Sequence, residues 1–414
     1  MKIVDIPLRL QGHLGLFRPL FTKPSFQSFC QMGTAIAVCQ KSRTVRNLHG
    51  TIAENNKKKK SRRAYGWFFN DAKWDEDKVA QTKANAFFEA VKPKKNGRIL
   101  LLLDDTGNEK KGKKTDGVGK FFSHAENDYI WGNNFVTSAL QYGNLFIPHK
   151  ARMYIKEEGA KEDGRFEFKT KPEIAFEEII EPLDIPPNLQ LFVVADSWWF
   201  SEQLINSCRG LGHHVICRIK SNKLVNANGS SMQVQKYAKS IEKKDFKLIT
   251  IEARGKKKKY KFFEMIIELE NIGKARLVIT EKTTKKKDPK YFICTDLSLK
   301  AKEILTIYDN RWNIETCHRE ANQKLGFKEY QMRDKRGIER FIQLVFLMWT
   351  MILLIELKGK IDIEALEIPK LGEMLEGLKT EVYADMFTSI LEFLGYPIPF
   401  GGVIAALERY GYKF

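Results

Sequence analysis

The segment Ile99-Leu-Leu-Leu-Leu103-Asp104-Asp105-Thr106-Gly107 decides the fold of this chain. Its five consecutive apolar residues predict a strand that is buried on both faces of a sheet. The acidic pair follows this strand, and Asp105-Thr106-Gly107 is typical of the turn that leaves it. A second apolar run, Leu191–Ala195, is followed in the same way by Asp196. Strand ends can bring acids together whatever their separation in sequence, so the two segments predict a shared acidic site.

The elements between Arg98 and Lys220 follow a definite order. Turn residues at Tyr142-Gly143 predict a hairpin, Pro172–Ile180 and Ser201–Arg209 are typical of helices, and His214–Lys220 predicts a strand. The predicted order is therefore strand, strand, strand, helix, strand, helix, strand. With acids at the ends of the first and fourth strands, this is the order that a ribonuclease-H-like fold requires. We therefore predict an α/β protein with a ribonuclease-H-like catalytic core.

Composition divides the rest of the chain around this core. We predict a helical, basic N-terminal region at residues 1–92 and a helical C-terminal region at residues 358–414. The predicted core comprises residues 93–221 and 298–357. Residues 222–297 contain short alternating runs separated by lysine-rich loops, which predicts a small antiparallel β insertion. Its lysines either contact DNA or keep a sheet edge soluble, and the pattern favours neither reading.

The charge of the chain indicates a polyanionic partner. Lysine and arginine number 70 against 51 aspartates and glutamates, a formal net charge of +19. Cations that neutralise the phosphates of a nucleic acid release condensed counterions, and this release favours binding. We therefore favour nucleic acid as the partner over an anionic membrane surface, and over the alternative that the charge only keeps the protein soluble. A basic run lies just before Trp67, and its members Lys59, Arg62 and Arg63 are candidate contacts with a phosphate backbone. Such a run is also common in solvated loops.

The cysteines and the apolar stretches indicate the cellular compartment of the protein. The six cysteines are scattered without a C-x-x-C pair, which argues against a disulfide framework or a zinc finger. The first residues lack the apolar segment of a signal peptide. The most apolar stretch, Leu344–Leu357, is too short to span a bilayer and predicts a core helix. We expect no membrane association and a cytoplasmic location, at the nucleoid in a prokaryote.

The segment Tyr308-Asp-Asn-Arg311-Trp-Asn-Ile-Glu315 supplies a third acid. On a single helix its tyrosine, arginine and glutamate share one face. We predict that Asp105, Asp196 and Glu315 together bind metal and carry catalysis. Carboxylates hold Mg²⁺, and two such ions about 3.5–4 Å apart activate water and neutralise charge during phosphodiester cleavage. Asp104 is the alternative first ligand, because neighbours on a strand point to opposite faces.

Each acid also has a purely structural explanation. The first acidic pair can start a turn, Asp196 can cap the helix that follows it, and Glu315 can form a surface ion pair with Arg311 or Arg319. The coincidence of all three in one strongly basic chain favours the metal site.

These segments resemble those of the insertion-sequence DDE transposases. Asp104-Asp105-Thr106-Gly107 is similar to the family's first-acid motif, and Ala195-Asp196-Ser197 is similar to its second. Tyr308-x2-Arg311-x3-Glu315 is similar to the tyrosine, arginine and glutamate of the family's Y-R-E-K signature, and the pattern continues through Leu325-Gly326-Phe327. The resemblance covers roughly residues 65–355.

The resemblance implies a ribonuclease-H-like fold, a β insertion before the glutamate, and two Mg²⁺ ions that Mn²⁺ can replace. It also implies a homodimer that cleaves double-stranded DNA at the inverted-repeat ends of a transposon and transfers the 3′-hydroxyl into target DNA. The alternatives are a metal-dependent nuclease or resolvase of the same fold, and a non-catalytic, domesticated DNA-binding protein.

The resemblance further implies that Tyr308 and Arg311 contact phosphates, but the chain departs from the signature at its lysine. That lysine would stand at position 322, where the chain has Asn322. Lys324 is close in sequence but falls on the opposite side of the helix from the glutamate. Arg319, one turn after Glu315, is the candidate replacement cation, and the alternative is a weakened grip on phosphate in a decaying element. Arg319, Asn322 and Lys324 are all candidate DNA contacts.

Overall fold

The computed structural model describes residues 1–54, 56–123, 127–227, 229–282, 289–360, 370–396, 398–410 and 412. In this part of the chain, twelve strands form one mixed sheet with helices on both sides, so the predicted α/β class is confirmed. The strands are β1 (Arg98–Glu109), β2 (Gly119–Ser123), β3 (Asp128–Tyr142), β4 (Leu145–Tyr154), β5 (Gln190–Ala195), β6 (His214–Ile219), β7 (Leu224–Ala227), β8 (Ser230–Gln233), β9 (Lys247–Ala253), β10 (Lys256–Leu269), β11 (Gly273–Lys282) and β12 (Lys290–Cys294).

The helices before the first strand form an N-terminal layer, and the others alternate with the strands or follow them. They are α1 (Leu8–Gly15), α2 (Lys23–Val38), α3 (Val45–Thr51), α4 (Arg62–Asn70), α5 (Glu76–Val91), α6 (Glu157–Asp163), α7 (Lys171–Ile174, continued by a π-helical turn at Ala175–Ile180), α8 (Glu202–Gly210), α9 (Val234–Ser240), α10 (Ala301–Asp309), α11 (Trp312–Leu325), α12 (Lys335–Leu357), α13 (Leu371–Phe393) and α14 (Phe400–Arg409).

Strand β1 lies in the middle of the core sheet. It pairs antiparallel with β3 and parallel with β5, and β5 pairs parallel with β6. Strand β4 pairs antiparallel with β3. The resulting order β4-β3-β1-β5-β6 is the one expected of a ribonuclease-H-like core. The predicted elements are present in the predicted order, with strand β2 and helix α6 in addition.

Strands β7 to β12 continue this sheet. Strand β12 pairs antiparallel with β6, and the sheet then runs through β11 and β10 to β7 and β8, with β9 paired to β10. The predicted antiparallel insertion is therefore present, and its strands are hydrogen-bonded to the core.

Strand β1 buries apolar side chains on both faces. Leu100 and Leu102 pack in a cluster that includes residues of α10 and α11. Leu101 and Leu103 pack in a second cluster that includes residues of α7 and α8. We call the two sides of the sheet the α11 face and the α8 face. The continuous apolar run is required because both faces of this strand are covered.

Helix α12 joins the N-terminal helices to the sheet. The buried guanidinium of Arg340 donates to the carbonyl oxygens of Phe69, Ala72 and Trp74 and pairs with Glu76. The helix has 23 residues, more than the predicted apolar stretch, and is long and apolar enough to cross a membrane by length and composition. However, 94% of its apolar window is buried inside the protein, so the predicted core helix is confirmed.

The Leu325-Gly326-Phe327 segment ends α11. Gly326 adopts φ +69°, a left-handed conformation that favours glycine, and the Phe327 N–H donates to the Ala321 carbonyl at 3.1 Å. The reversal places the Phe327 ring between Phe135 of β3 and Phe346 of α12. This short motif therefore fixes α11 against both the sheet and the central helix.

His149 of β4 is fully buried beside three cations. Neither of its ring nitrogens has a hydrogen-bond partner among the described residues. Burial, together with Lys150, Lys83 and Arg152, holds the pKa of His149 well below its ordinary value. The Lys83 ammonium, also buried, donates to the carbonyl oxygens of Pro148 and His149 at 2.8 and 2.7 Å. The imidazole is therefore neutral in the folded protein at neutral pH.

Acid should destabilise the fold through His149. Because the folded pKa is depressed, only the unfolded chain takes up this proton, so the stabilising effect is complete above pH about 6.5 and is lost as pH falls below it. We expect the free energy of unfolding to fall by about 1.4 kcal/mol per pH unit from this residue below that pH. Urea unfolding between pH 7.5 and 5.5 measures this, with His149→Gln as the control. Equal pH slopes in the two proteins would contradict the assignment.

Candidate active site

Asp104 projects from β1 to the α11 face. Its Oδ2 atom accepts a hydrogen bond from Arg311 Nη1 at 3.3 Å, and its Oδ1 atom accepts the Asp105 backbone N–H at 3.0 Å. Burial raises the pKa of Asp104 to about 7, opposed by Arg311 and assisted by the neighbouring carboxylates of Asp105 and Asp196. The carboxyl group is thus poorly solvated and close to other negative charge.

Asp105, the residue preferred from sequence, projects to the other side of the sheet. Its Oδ2 atom pairs with Lys171 Nζ at the start of α7. The predicted turn at Asp105-Thr106-Gly107 is absent, because β1 continues to Glu109 in register with β3. In a continuing strand, neighbours alternate between faces, so Asp104 and Asp105 are separated by the sheet. The structure therefore places Asp104 in the group that was expected to contain Asp105.

Asp196 directly follows β5 and lies beside Asp104. Leu102 and Val194 are partners in the parallel pair of β1 and β5, so the acids two residues further on fall on the same face of adjacent strands. The Asp196 Oδ1 atom accepts the backbone N–H of Trp198 at 2.9 Å. Ser201, not Asp196, caps α8, since its hydroxyl accepts the Leu204 N–H. The capping explanation for Asp196 is therefore excluded.

The third motif spans two helices. Helix α10 ends at Asp309 and α11 begins at Trp312, so the predicted single helix is interrupted. Arg311 stands at this junction, and its Nη2 atom pairs with Glu315 Oε1 at 2.8 Å while its other terminal nitrogen contacts Asp104. The guanidinium side chain is 13% exposed. It joins the first and third acids directly.

Tyr308 lies on the last turn of α10 and faces the second acid. Its ring meets Phe292 of β12 edge-on, with centroids 4.8 Å apart. Burial raises the pKa of Tyr308 to about 12, against the opposing effect of the cations Arg311 and Arg218, and the Asp196 carboxylate also raises it. The phenol is therefore protonated and able to donate a hydrogen bond beside Asp196.

Arg218 was missed by the sequence reasoning. Val194 pairs with Ile216 in the parallel β5–β6 pair, so Asp196 and Arg218 lie level on adjacent strands. The Arg218 Nε atom is buried and has no hydrogen-bond partner among the described residues. A signal was present in the sequence, because Arg218 is a lone cation within the otherwise apolar part of β6. The three parallel strands β1, β5 and β6 thus place two acids and one arginine at one level on the α11 face.

Thr137 and His318 were also missed, and they connect the first acid to α11. The Thr137 hydroxyl lies 3.0 Å from the Asp104 carbonyl oxygen and 2.8 Å from His318 Nε2. Burial lowers the pKa of His318 to about 4, so the ring is neutral. Thr137 donates to the carbonyl oxygen, and the Nε2–H tautomer of His318 donates to Thr137. His318 lies one turn after Glu315 on α11. These hydrogen bonds therefore hold α11, which carries Glu315, against β1, which carries Asp104.

Arg319, the predicted replacement cation, lies on α11 together with Asn322 and Lys324. Arg319 is exposed and Asn322 is half-buried. Lys324 is exposed, and its side chain passes close to Gly372 at the start of α13. Within the described ranges, none of the three side chains forms an ion pair or hydrogen bond with Asp104, Asp196 or Glu315.

The basic run of the N-terminal region is divided by its contacts. Lys59 is held by the Ile52 carbonyl at 2.9 Å and by Glu54, and its side chain is only 7% exposed. Arg62 and Arg63 are exposed in the first turn of α4. Of these three candidate contacts, Arg62 and Arg63 are the ones that present their charges to solvent.

The tryptophans after the second acid have opposite environments. Trp199 is buried and belongs to the core, whereas Trp198 is 68% exposed. Lys220 Nζ lies 4.2 Å from the centre of the Trp198 ring. Trp198 thus forms an exposed aromatic surface directly beside Asp196.

The β9–β10 hairpin of the insertion contacts the helix junction. Arg254 Nε donates to Asp309 Oδ2 at 3.0 Å, and Lys258 pairs with the other oxygen of Asp309. The Arg254 guanidinium also lies over the ring of Trp312. Two cations of the hairpin therefore fix the residues on either side of Asn310-Arg311, a role that neither reading of the lysine-rich loops predicted.

The carboxylates of Asp104, Asp196 and Glu315 are suitable ligands for a hard divalent cation, but they are not arranged to bind one in this conformation. Among the described residues, no three histidine, cysteine, aspartate or glutamate side chains are close enough to hold a metal ion as they stand. The Arg311 guanidinium lies between Asp104 and Glu315 and supplies the positive charge there. Carboxylate oxygens are the ligands that hard divalent cations prefer, so the chemistry of these side chains suits such an ion.

Two family models match the chain. The model described as DDE superfamily endonuclease matches residues 19–242, more than half of the chain. The chain belongs to the DDE superfamily endonucleases. A model described as transposase DDE domain matches residues 175–351. The two ranges together contain Asp104, Asp196 and Glu315, and they assign DNA transposase function to the chain, as the motifs predicted. Endonucleases of this superfamily generally depend on divalent metal ions.

The remaining comparisons are more distant. No curated protein sequence matches the chain. Among solved structures, a piggyBac transposase in a synaptic complex with hairpin DNA is 11% identical, with a TM-score of 0.47. The similarity covers 94% of this chain and 79% of that chain.

The hydrogen bonds of Thr137 should stabilise the fold. Thr137→Val keeps the volume but leaves the Asp104 carbonyl and His318 without their partner, so we expect the free energy of unfolding to fall by about 1–3 kcal/mol. Thr137→Ser keeps the hydroxyl and should retain most of this stability. Urea unfolding of the three proteins measures the difference. A valine variant as stable as the serine variant would show that the bridge contributes nothing.

Proposed function

We propose that this protein cleaves double-stranded DNA at the inverted-repeat ends of a transposon and joins the freed 3′-hydroxyl groups to target DNA. One observation carries the proposal. Asp104 and Asp196 lie on the same face of adjacent parallel strands, and Arg311 joins Asp104 to Glu315 on α11. Asp104 thus replaces Asp105 in the proposed catalytic set, which is Asp104, Asp196 and Glu315.

The proposed set would hold two Mg²⁺ ions, with Mn²⁺ as a substitute. When bound, such ions supply an activated nucleophile and neutralise charge on the reacting phosphate. With a cation bound to Asp104 and Glu315, Arg311 would be free of both carboxylates. Its planar guanidinium would then be available to a DNA phosphate, for which its two parallel N–H groups are suited. The same arginine therefore balances the acids before DNA binds and holds the backbone afterwards.

Other cations and donors around the site would position the substrate. Arg218 has a buried Nε donor with no hydrogen-bond partner among the described residues, and the Tyr308 hydroxyl can donate to a phosphate beside Asp196. Arg319 is the cation available one turn after Glu315. Asn322 is uncharged and contributes a hydrogen bond at most, and Lys324 faces α13, so neither replaces the signature lysine alone.

The outlying regions would bind DNA away from the cut. We assign DNA-end binding to the helical residues 1–92, through Arg62 and Arg63 rather than Lys59. A homodimer would hold two transposon ends together. In each copy, the proposed core comprises residues 93–221 and 298–357, the insertion residues 222–297 and the C-terminal region residues 358–414. The proposed location is cytoplasmic, at the nucleoid in a prokaryote, without membrane association.

The chemistry is tested with a duplex that carries the inverted repeats flanking the gene. We expect Mg²⁺-dependent nicking that EDTA abolishes, and Asp196→Asn should lower the rate by at least about a hundredfold because a metal ligand is lost. Asp184→Asn, which alters an exposed carboxylate, is the matched control and should cleave normally. Nicking retained by Asp196→Asn would contradict the proposed site.

Joining is tested separately with precleaved ends and a supercoiled plasmid target. Transfer of the labelled 3′ end into the plasmid is the expected result. Cleavage without joining would instead identify a nuclease of the same fold, and DNA binding without cleavage would identify a non-catalytic DNA-binding protein.

A further inference from the structure

The hairpin of β2 and β3 presents aromatic side chains that the fold does not bury. In its antiparallel register, Lys120 is opposite Trp131 and Phe122 is opposite Tyr129. Directly opposed residues project to the same face, so all four side chains form one row. We call this row, Lys120, Phe122, Tyr129 and Trp131, the aromatic ladder.

The ladder has an ordered arrangement although it is exposed. Tyr129 is 57% exposed and Trp131 is 40% exposed. The Phe122 ring meets Tyr129 edge-on with centroids 5.5 Å apart, and Lys120 Nζ lies 5.0 Å from the centre of the Tyr129 ring. Exposed aromatic clusters of this kind mark binding surfaces more often than isolated exposed residues do.

Lysines border the ladder. The Trp131 Nε1–H donates to the Gly112 carbonyl oxygen, which holds the loop after β1 against the tryptophan. Lys111, Lys113 and Lys114 of this loop are exposed. Positive charge beside open aromatic rings is suited to a ligand with both phosphates and accessible base faces. Duplex DNA conceals its base faces by stacking, whereas an unpaired strand exposes them.

The ladder lies on the same face of the sheet as the carboxylates. Strand β3 is in continuous register with β1 from Gly132 to Gln141, and Thr137 is opposite Asp104. Trp131 is six residues from Thr137 on the same strand face, a distance of about 20 Å at about 3.4 Å per residue. Phe327 and Tyr330 cover Phe135 on this face between Thr137 and Trp131. A strand that leaves the carboxylates would therefore pass beside this cover and reach the ladder after at least about six nucleotides, at about 3.4 Å per nucleotide.

We propose that the aromatic ladder stacks against the bases of an unpaired DNA strand that leaves the active site. This role rests on the proposed function and adds to it a binding site for single-stranded DNA, which strand cleavage at a transposon end provides. Stacking on aromatic rings tolerates any sequence, because every base has a π face.

Fluorescence anisotropy of labelled DNA tests the ladder in the full chain without divalent ions. The probes are a duplex with a single-stranded tail of mixed sequence and the corresponding blunt duplex. We expect the wild-type protein to bind the tailed duplex more tightly. The double variant Tyr129→Ala with Trp131→Ala should lose about tenfold in affinity for the tailed duplex and keep its affinity for the blunt one. Tyr129→Phe with Trp131→Phe retains the rings and should retain the preference.

Three results would contradict the proposed role of the ladder in binding unpaired DNA. The first is equal affinity of the wild-type protein for the two probes, and the second is an equal loss of affinity for both probes in the alanine variant. Unchanged DNA binding with loss of a dimer on size-exclusion chromatography would show that the row is a contact between copies of the chain. Tail preference without Mg²⁺-dependent cleavage would overturn the proposed function and leave the ladder, whereas cleavage without tail preference would overturn the ladder alone.

Discussion

The position of one guanidinium determines how the candidate site is organised. Arg311 contacts Asp104 on the central strand at 3.3 Å and Glu315 on α11 at 2.8 Å. Two carboxylates cannot remain charged in a poorly solvated place without a partner, so the arginine is required in the absence of another cation. The interruption between α10 and α11 places this residue where it reaches both acids, and Asp309, just before it, is held by Arg254 and Lys258. The insertion therefore contributes to the geometry of the site from outside the core.

The length of β1 is the second constraint. Because the strand continues past the acids to Glu109, Asp104 and Asp105 face opposite sides of the sheet, one toward Arg311 and the other toward Lys171. The same continuation supports β3 beyond the carboxylates. At Gly132 a side chain would meet the backbone of Asn108, since an added Cβ would lie 2.1 Å from its carbonyl oxygen, so the close pairing there requires glycine. The extended β1–β3 pair thus carries both the acidic site and the aromatic ladder.

The sequence predicted the element order and core helix well because apolar runs and turn residues are local signals. It favoured Asp105 over Asp104 because Thr106-Gly107 is typical of a turn, whereas pairing of β1 with β3 keeps the strand extended and places Asp104 beside Arg311. The helix break at Asn310-Arg311 was missed for a similar reason, since side-chain contacts with the sheet and the insertion are not visible in helical spacing. Arg218 and Thr137 join the site through sheet register, and His318 joins it through its hydrogen bond with Thr137, none of which a single segment encodes. The family resemblance indicated the function, and the structure showed which side chains surround the acids.

Replacing each member of the first acidic pair tests the central claim most directly. Asp104→Asn and Asp105→Asn make the same chemical change at adjacent positions, one on each face of the sheet, and thermal unfolding checks that both variants fold. We predict that Asp104→Asn loses at least about a hundredfold in the rate of Mg²⁺-dependent cleavage of its transposon ends, as expected for a metal ligand. Asp105→Asn should stay within about tenfold of the wild-type rate, because its carboxylate pairs with Lys171. Full activity of Asp104→Asn together with loss of activity in Asp105→Asn would contradict the account.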